Sequence, residues 1–514
     1  MNLASFPIES YGLTLMWVIP LLTSLITFAV PARNHKRIKI ISAVGAGLNF
    51  ALIIGLTVRF VQVAGLAQIN TPELFSGQST HLFFAMNVPW FSTLNINYNI
   101  GVDALSMLMS LLTGLIIFAG VFASWEIENQ AKEFFTLLNI LVSGVFGVFI
   151  SYDIFSFFLF YEVAVLPMYL LIAVWGTGRK EYSAMKLTLM LVGGSALIMA
   201  GILALYFESG LSTFDLNALA AHPFAASFQN WVFPVMFVGF AILGAMFPFH
   251  TWSPDGHAAA PTAVSMLHAG VLMKLGGYGC LRVAMYALPE GAKLWMPYFM
   301  VLIIYNVAFG AFIAVRQKDL KYITAYSSVS HLGLVLLGLG VLTYTGLKGS
   351  ALQMISHGLL TALFFCLIGM IYGRTKTRNI DEMGGLLKVM PFLGVAFMIA
   401  GFAGLGLPGL SGFVAEVTIF LGAFQNDSII MRISTVLAIL SITATAVYVI
   451  RSANRMLSGP IQNPAHAQLT DANWIERIPV ILLLIGLFGM GLMPGWISNI
   501  LDTSLNPIFN NLMR

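Results

Sequence analysis

FPFHTWSPDGHAAAPTAVSMLHAGVLMKLGGYG, residues 247–279, joins two long apolar runs through a stretch that no continuous helix accommodates. Pro248, Pro254, Pro261 and Gly256 interrupt the run that begins near Val232, and Lys274 then stands near the middle of the run that begins near Thr262. Proline frees backbone carbonyls that lipid cannot satisfy, so the break must line protein or a watery cavity. A lysine at the bilayer centre costs about 2.5 kcal/mol or more unless it is paired or hydrated, so Lys274 must face the same interior. Desolvation penalises its ammonium form, which makes a titrating amine the expected state; a permanently paired or snorkelling lysine is the plain alternative.

The bilayer enters this reading through composition. Of 514 residues 58% are hydrophobic and 9% charged, where a soluble domain carries about a quarter charged residues. Runs of roughly 18 to 25 apolar residues, enough to cross about 30 Å of hydrocarbon, begin near Tyr11, Ile38, Ala104, Phe134, Ile154, Ala184, Val232, Thr262, Trp295, Ile323, Gly349, Pro391, Ile429 and Val480. The fold class is therefore an all-α integral membrane protein of about fourteen transmembrane helices, with residues 1–514 forming a single polytopic domain. Glu9, in place of a basic segment, marks the first run as a retained helix rather than a cleaved signal.

Alternating fourteen helices puts Arg33, Lys132, Arg179, Arg316, Arg374, Arg451 and most other cations in one set of loops, and only Lys293, Lys348, Arg432, Arg514 and the helix-end Arg59 and Arg282 in the other. The positive-inside rule places the first set, Lys186 and Lys321 included, in the cytoplasm and both termini on the far side. Residues 67–103 lack lysine and arginine and contain the partly alternating stretch Leu94 to Ile100, which suggests a strand or hairpin on that far side; residues 452–476 read as a polar cytoplasmic crossover.

A second interruption, GLGLPGLSG at 404–412, divides the run from Pro391. Blocks 134–287 and 295–450 hold five helices each, with the break at the fourth of each block. Five is odd, so the pattern points to two inverted five-helix repeats of a transporter fold, against the simpler reading of two unrelated kinks. Besides Lys274, ionisable groups at depth are Glu162, His331, His357 and Glu416, which together suggest a chain of proton-holding sites. A fixed counter-ion is the alternative for either glutamate, and a neutral buried imidazole for either histidine. His250, His257 and His268 flank the first break and are expected to do no more than bond freed backbone; Asp103 reads as a helix cap.

Soluble catalysis finds little support. Cys280 and Cys366 are the only cysteines, each in an apolar run, so no disulfide framework, zinc site or iron-sulfur site can be assembled from this chain. Walker A, dinucleotide and nucleophile-elbow motifs are missing, and no basic cluster suggests nucleic acid.

The strings GVDALSM at 101, FYEVAVLPMYLLIAVWG at 160, FPFHTWSPDGHAAAPTA at 247, HAGVLMKLGGYG at 268, DLKYITAYSSVSHLG at 319, QMISHGLLTALFF at 353 and LPGLSGFVAE at 407 resemble the antiporter-like, proton-translocating subunits of NADH-quinone oxidoreductase, respiratory complex I. The match is to the subunit M line, the mitochondrial subunit 4 equivalent, and spans nearly the whole chain. It implies a hydrated axis in which Glu162 is the input-side gate, Lys274 the central switch, His331 and His357 the relay and Glu416 the exit-side group. An acid at Glu416 favours subunit M, because the related subunits L and N ordinarily carry lysine there.

One departure stands at the motif's centre: the family's lysine, four residues ahead of FPFH, is Leu243 here, and Ser253 and Gly256 replace a more usual leucine and alanine. Glu162 thus loses its usual partner, and Lys186 is the first candidate to replace it.

The resemblance further implies that this chain binds no cofactor or metal, while partner subunits carry flavin and iron-sulfur clusters and meet NADH and quinone. Its own partners are the other membrane-arm subunits, further antiporter-like ones among them, and the lipid of a cell inner membrane. The chain is then a component of an enzyme and not a catalyst alone. Rival readings are a subunit of a cation/proton antiporter or membrane-bound hydrogenase of the same fold, and a spacer whose pumping is attenuated.

Overall fold

The computed structural model describes residues 7–514. Its helices run in chain order as α1 (Ile8–Ala29), α2 (His35–Asn70), α3 (Ala104–Ala123), α4 (Ala131–Ile150), α5 (Ile154–Trp175), α6 (Lys180–Ser209), α7 (Leu216–Ala221), α8 (Ala226–Leu243), α9 (Trp252–Ala259), α10 (Thr262–Leu267), α11 (Met273–Gly279), α12 (Pro289–Arg316), α13 (Leu320–Gly340), α14 (Tyr344–Thr375), α15 (Pro391–Gly404), α16 (Ser411–Phe424), α17 (Ile429–Leu457), α18 (Trp474–Leu492) and α19 (Pro494–Leu512). Twelve of the described helices are long and apolar enough to span a bilayer. The other two expected spans are the eighth, a continuous helix in which the π turn His268–Leu272 joins α10 to α11 and the π turn Cys280–Met285 follows, and the twelfth, divided into α15 and α16.

Helix starts follow side-chain chemistry. Asp103 accepts from Ser106 N in a capping box, Asp153 caps α5, Asp319 caps α13, Thr343 caps α14, and Asn473 with Glu476 boxes α18. α13 and α14 are almost wholly buried and form the centre of the bundle. Peripheral helices turn Leu189, Phe207, Phe312, Leu440 and Ile485 outward, a surface suited to acyl chains or neighbouring apolar helices and not to water.

Strands β1 (Phe83–Phe91) and β2 (Ile96–Val102) pair antiparallel, Val88 opposite Tyr98, and cover one end of the bundle. The hairpin agrees with the alternation in Leu94 to Ile100, except that Leu94 closes the tight turn Ser92–Leu94 and the strand begins at Ile96. The hairpin is fixed by Trp17 Nε1 donating to Tyr98 Oη at 2.9 Å and by Asn97 N donating to Asp153 Oδ2 at 3.1 Å.

The opposite end carries the crossover from α17 to α18. There Asp471 accepts from Phe392 N at 2.7 Å, and Arg374 pairs with Glu476 at 2.6 Å. Lys318 and Arg455 both contact Asp381 and hold its carboxyl below the usual carboxylate range. The packing of this segment along the bundle agrees with its polar sequence. α19 was not anticipated: its apolar positions Ile497, Ile500, Leu501, Leu505 and Ile508 are spaced for one helical face rather than for a span.

Each break is sealed by side chains. Ala245 adopts φ +53° just past α8, and the Phe247 N–H freed there donates to Asn306 Oδ1 at 3.0 Å, while Asn306 Nδ2 donates to Val329 O of α13 at 2.9 Å. Trp252 Nε1 donates to Ile242 O at 3.1 Å. At the C-terminal end of α9, Arg378 donates to Ala258 O and Lys321 Nζ to Ala260 O, cations where helix carbonyls need them. Lys321, counted among loop cations from sequence, is thus a buried cap. In the second break Gly406 and Gly409 have φ +72° and +91°, conformations that glycine alone adopts freely.

Replacing Asn306 by leucine leaves the part-buried Phe247 N–H unpaired, at about 1–3 kcal/mol, and removes the tie to α13. The expected outcome is a clear fall in the thermal unfolding temperature of the detergent-purified protein. An unchanged transition would show that the first break does not depend on this bridge.

Candidate functional site

Four of the five ionisable residues singled out in the sequence form one buried row. Lys274 comes from α11, His357 from α14, His331 from α13 and Glu416 from α16, and none is more than 5% exposed. Lys274 Nζ lies 2.8 Å from His357 Nδ1 and also donates to Ala269 O, the carbonyl exposed by the π turn beneath it. The His357 and His331 rings stack with centroids 5.2 Å apart at 15°. His331 Nε2 lies 3.4 Å from Glu416 Oε1 and 3.1 Å from Gly404 O, a carbonyl released by the second break.

The polarity of these contacts defines what the row can do. Both ring nitrogens of His331 face acceptors, Nδ1 the Ser327 carbonyl at 2.9 Å and Nε2 the Glu416 carboxylate and Gly404 O, so the site is shaped to hold an imidazolium against a carboxylate. Ser327 Oγ, in turn, meets Tyr448 Oη at 2.7 Å. His357 presents Nδ1 to the lysine amine and leaves Nε2 without a protein partner, while stacked rings carry no hydrogen bond between them. A proton passing from His357 to His331 therefore needs a ring rotation or a bridging water. Gly406 is required beside this end of the row, because a Cβ there would lie 2.7 Å from Glu416 Oε2.

Glu162 does not join the row. It is half-buried on α5, and its Oε1 has no hydrogen-bond partner. Leu243, at the position of the missing lysine, is fully buried at the end of α8. The expected substitute cation is engaged elsewhere: Lys186 Nζ pairs with Asp255 Oδ2 at 2.7 Å, and Tyr322 donates to the other carboxylate oxygen at 3.1 Å. Apolar spacing alone does not encode this pairing.

His257 and His268 do not bond freed backbone through their rings; they stack on each other with centroids 4.2 Å apart, and His257 Nε2 meets Met273 Sδ at 3.1 Å, one residue from Lys274. Both nitrogens of His268 lack hydrogen-bond partners. Their positions on either side of Pro261 were visible, but not the fold-back of the broken helix that brings the rings together. His250 packs its ring against Phe247 and Phe309. Asp103 is the expected cap and, beyond that, forms a fully buried ion pair with Arg282.

No group of three or more His, Cys, Asp or Glu among the described residues is arranged to hold a metal. The arrangement suits proton movement through side chains.

Comparison with known proteins gives the same picture. Residues 151–441 match the family described as NADH:quinone oxidoreductase/Mrp antiporter, transmembrane. NAD(P)H-quinone oxidoreductase chain 4 3 of Picosynechococcus sp. is 36% identical over 448 residues, covering 86% of this chain and 79% of that protein. A chain in the structure of respiratory complex I from Thermus thermophilus with bound NADH superposes with a TM-score of 0.85 at 26% identity, covering 97% of this chain and 99% of that one. The Mrp complex from Dietzia sp. contains a chain of the same fold at 19% identity and TM-score 0.78, covering 98% of both chains.

If Lys186 belongs to Asp255, a double-mutant cycle on Lys186→Ala and Asp255→Ala should give a coupling of about 0.5–1 kcal/mol in thermal stability. Lys186→Ala should also leave the infrared carboxyl signal of Glu162, identified by its loss in Glu162→Gln, unmoved. A shift of that signal would return Lys186 to Glu162.

Proposed function

The chain belongs to the NADH:quinone oxidoreductase/Mrp antiporter transmembrane family, in the chain 4 or subunit M line of complex I, and from that membership we propose that it carries protons across the membrane along the row Lys274, His357, His331, Glu416. The observation that carries this reading is the continuity of the row: a lysine, two stacked imidazoles and a carboxylate, buried and contributed by four helix segments around the two breaks. Quinone reduction in partner subunits, which hold the flavin and iron-sulfur clusters, supplies the free energy. This chain contributes no redox group.

Protons enter from the crossover face, which the loop cations assign to the cytoplasm, and leave toward the hairpin face, where both termini lie in a cell inner membrane. Glu162 is the input-side gate. Lys274 is the switch, holding a proton as ammonium and handing it to His357 Nδ1; His331 takes it next and shares it with Glu416, the exit-side group. Blocks 134–287 and 295–450 act as inverted repeats, the first giving Lys274 to the row and the second His331, His357 and Glu416. A carboxylate at Glu416 offsets an imidazolium at His331, so the row's charge is re-balanced each time a proton moves.

The orphaned Glu162 and the leucine at 243 favour one second reading, a subunit that conducts more slowly than its relatives and works partly as a spacer. Protons moved per electron pair separate the two.

Lys274→Ala should remove this subunit's share of pumping while the complex still assembles, with transfer along the row slowed by about 10²-fold or more. Glu416→Gln, which keeps shape but cannot release a proton, should impair pumping comparably. Both are read as protons per electron pair in reconstituted complex; a normal ratio in Lys274→Ala would refute the relay.

A further inference from the structure

Below Lys274 the same helix carries a second polar line that the relay does not use. Lys274, Tyr278, Arg282 and Tyr286 follow at intervals of four residues, and the π turn Cys280–Met285 lies within this stretch. A π turn holds more than four residues, so it keeps this spacing close to one face where an α-helix would let it drift. Long helical side chains lean toward the helix N-terminus, so Tyr278 leans toward the lysine turn.

Around Arg282 the hydrogen bonds do not close. Its guanidinium pairs with Asp103 and stacks over the rings of Tyr152 and Tyr278 at 5.4 and 5.7 Å. Arg282 Nε and Nη1 and the hydroxyl of Tyr152 have no protein partner, and the Tyr278 hydroxyl lies by Arg282 short of hydrogen-bond geometry. All four side groups are at most 2% exposed. Buried polar atoms are nearly always satisfied, and four converging ones give water the two to four partners it needs. Beyond them Tyr286 Oη accepts from Thr80 N at 3.0 Å and meets Asn217 Oδ1 at 3.1 Å, and Asn217 is half-exposed on the hairpin face.

We propose that Tyr278, Tyr152 and the Asp103–Arg282 pair form a gated outlet from Lys274 straight to the hairpin face, so that a proton can leave without crossing the two histidines. The inference rests on Lys274 being a proton carrier. The lysine N–H bond breaks and an O–H bond forms on water held by the two tyrosines. Asp103 then accepts the proton and releases it past Tyr286 to bulk water. While Asp103 is protonated, Arg282 loses its counter-charge, and the uncompensated guanidinium repels the next cation. The pair thus behaves as a valve, neutral when closed and positive while a proton passes.

The test uses assembled complex in membrane vesicles. Tyr152→Phe with Tyr278→Phe keeps both rings and removes both hydroxyls; it should lower protons per electron pair by part of the loss seen in Lys274→Ala, because the histidine row stays open, and combining all three should lower them no further than Lys274→Ala alone. Impaired pumping in Lys274→Ala beside parental pumping in the double phenylalanine variant overturns the outlet alone; parental pumping in Lys274→Ala overturns the relay and the outlet together. Asp103→Asn removes the acceptor and leaves Arg282 without its counter-charge, so it should lower protons per electron pair as the double phenylalanine variant does, and combining it with that variant should lower them no further. Parental pumping in Asp103→Asn, or a loss that adds to that of the phenylalanine variants, overturns the valve. Should Asp103→Asn fail to assemble, the phenylalanine variants decide the matter.

Discussion

Backbone groups freed inside an apolar bundle have no water to turn to, and the shape of this protein follows from where they turn instead. Asn306 bridges Phe247 N and Val329 O, Lys321 and Arg378 close the end of α9, Lys274 reaches Ala269 O, and His331 reaches Gly404 O. Two of those donors are members of the relay. The groups that carry protons are also groups that make the breaks tolerable, so the helices cannot be repaired without dismantling the route.

That coupling explains why so much of the site was legible. A charged residue or a proline-glycine cluster in a bilayer-length apolar run is conspicuous, and both breaks and all four residues of the row stand in such surroundings. Helix number was legible for the same reason, and the two spans that fail a simple length criterion are the eighth, whose π turns divide it, and the twelfth, divided by the second break. The unread features depend on distances across the fold. Lys186 meets Asp255, 69 positions further along the chain, and not Glu162, and His257 meets His268 across the turn at Pro261. Strand β1 and helix α19 lie at the bundle's ends, where apolar periodicity is interrupted by loops and carries less signal.

Leu243 and Glu162 show the limits of reading by position. The lysine of the family motif is missing, and no nearby cation has moved into its role. The remainder of the row is continuous all the same, because Lys274 takes its geometry from the π turn and from His357 rather than from α8. A pair can therefore be lost at the entrance while the centre keeps its architecture. The relay is modular along its length.

The placement of α19 bears on how such a chain is made. Leu105 N, one of the unbonded donors at the start of α3, finds its acceptor in Ser504 Oγ, a partner 399 residues away, and Asn511 Nδ2 donates to Tyr286 O at 2.7 Å. During translation α3 is threaded into the bilayer long before these partners emerge from the ribosome. The third and eighth helices must wait in the membrane with ends unfinished, and a nascent chain halted before its last two dozen codons leaves the early half of the bundle open, a substrate for quality-control proteolysis rather than for assembly.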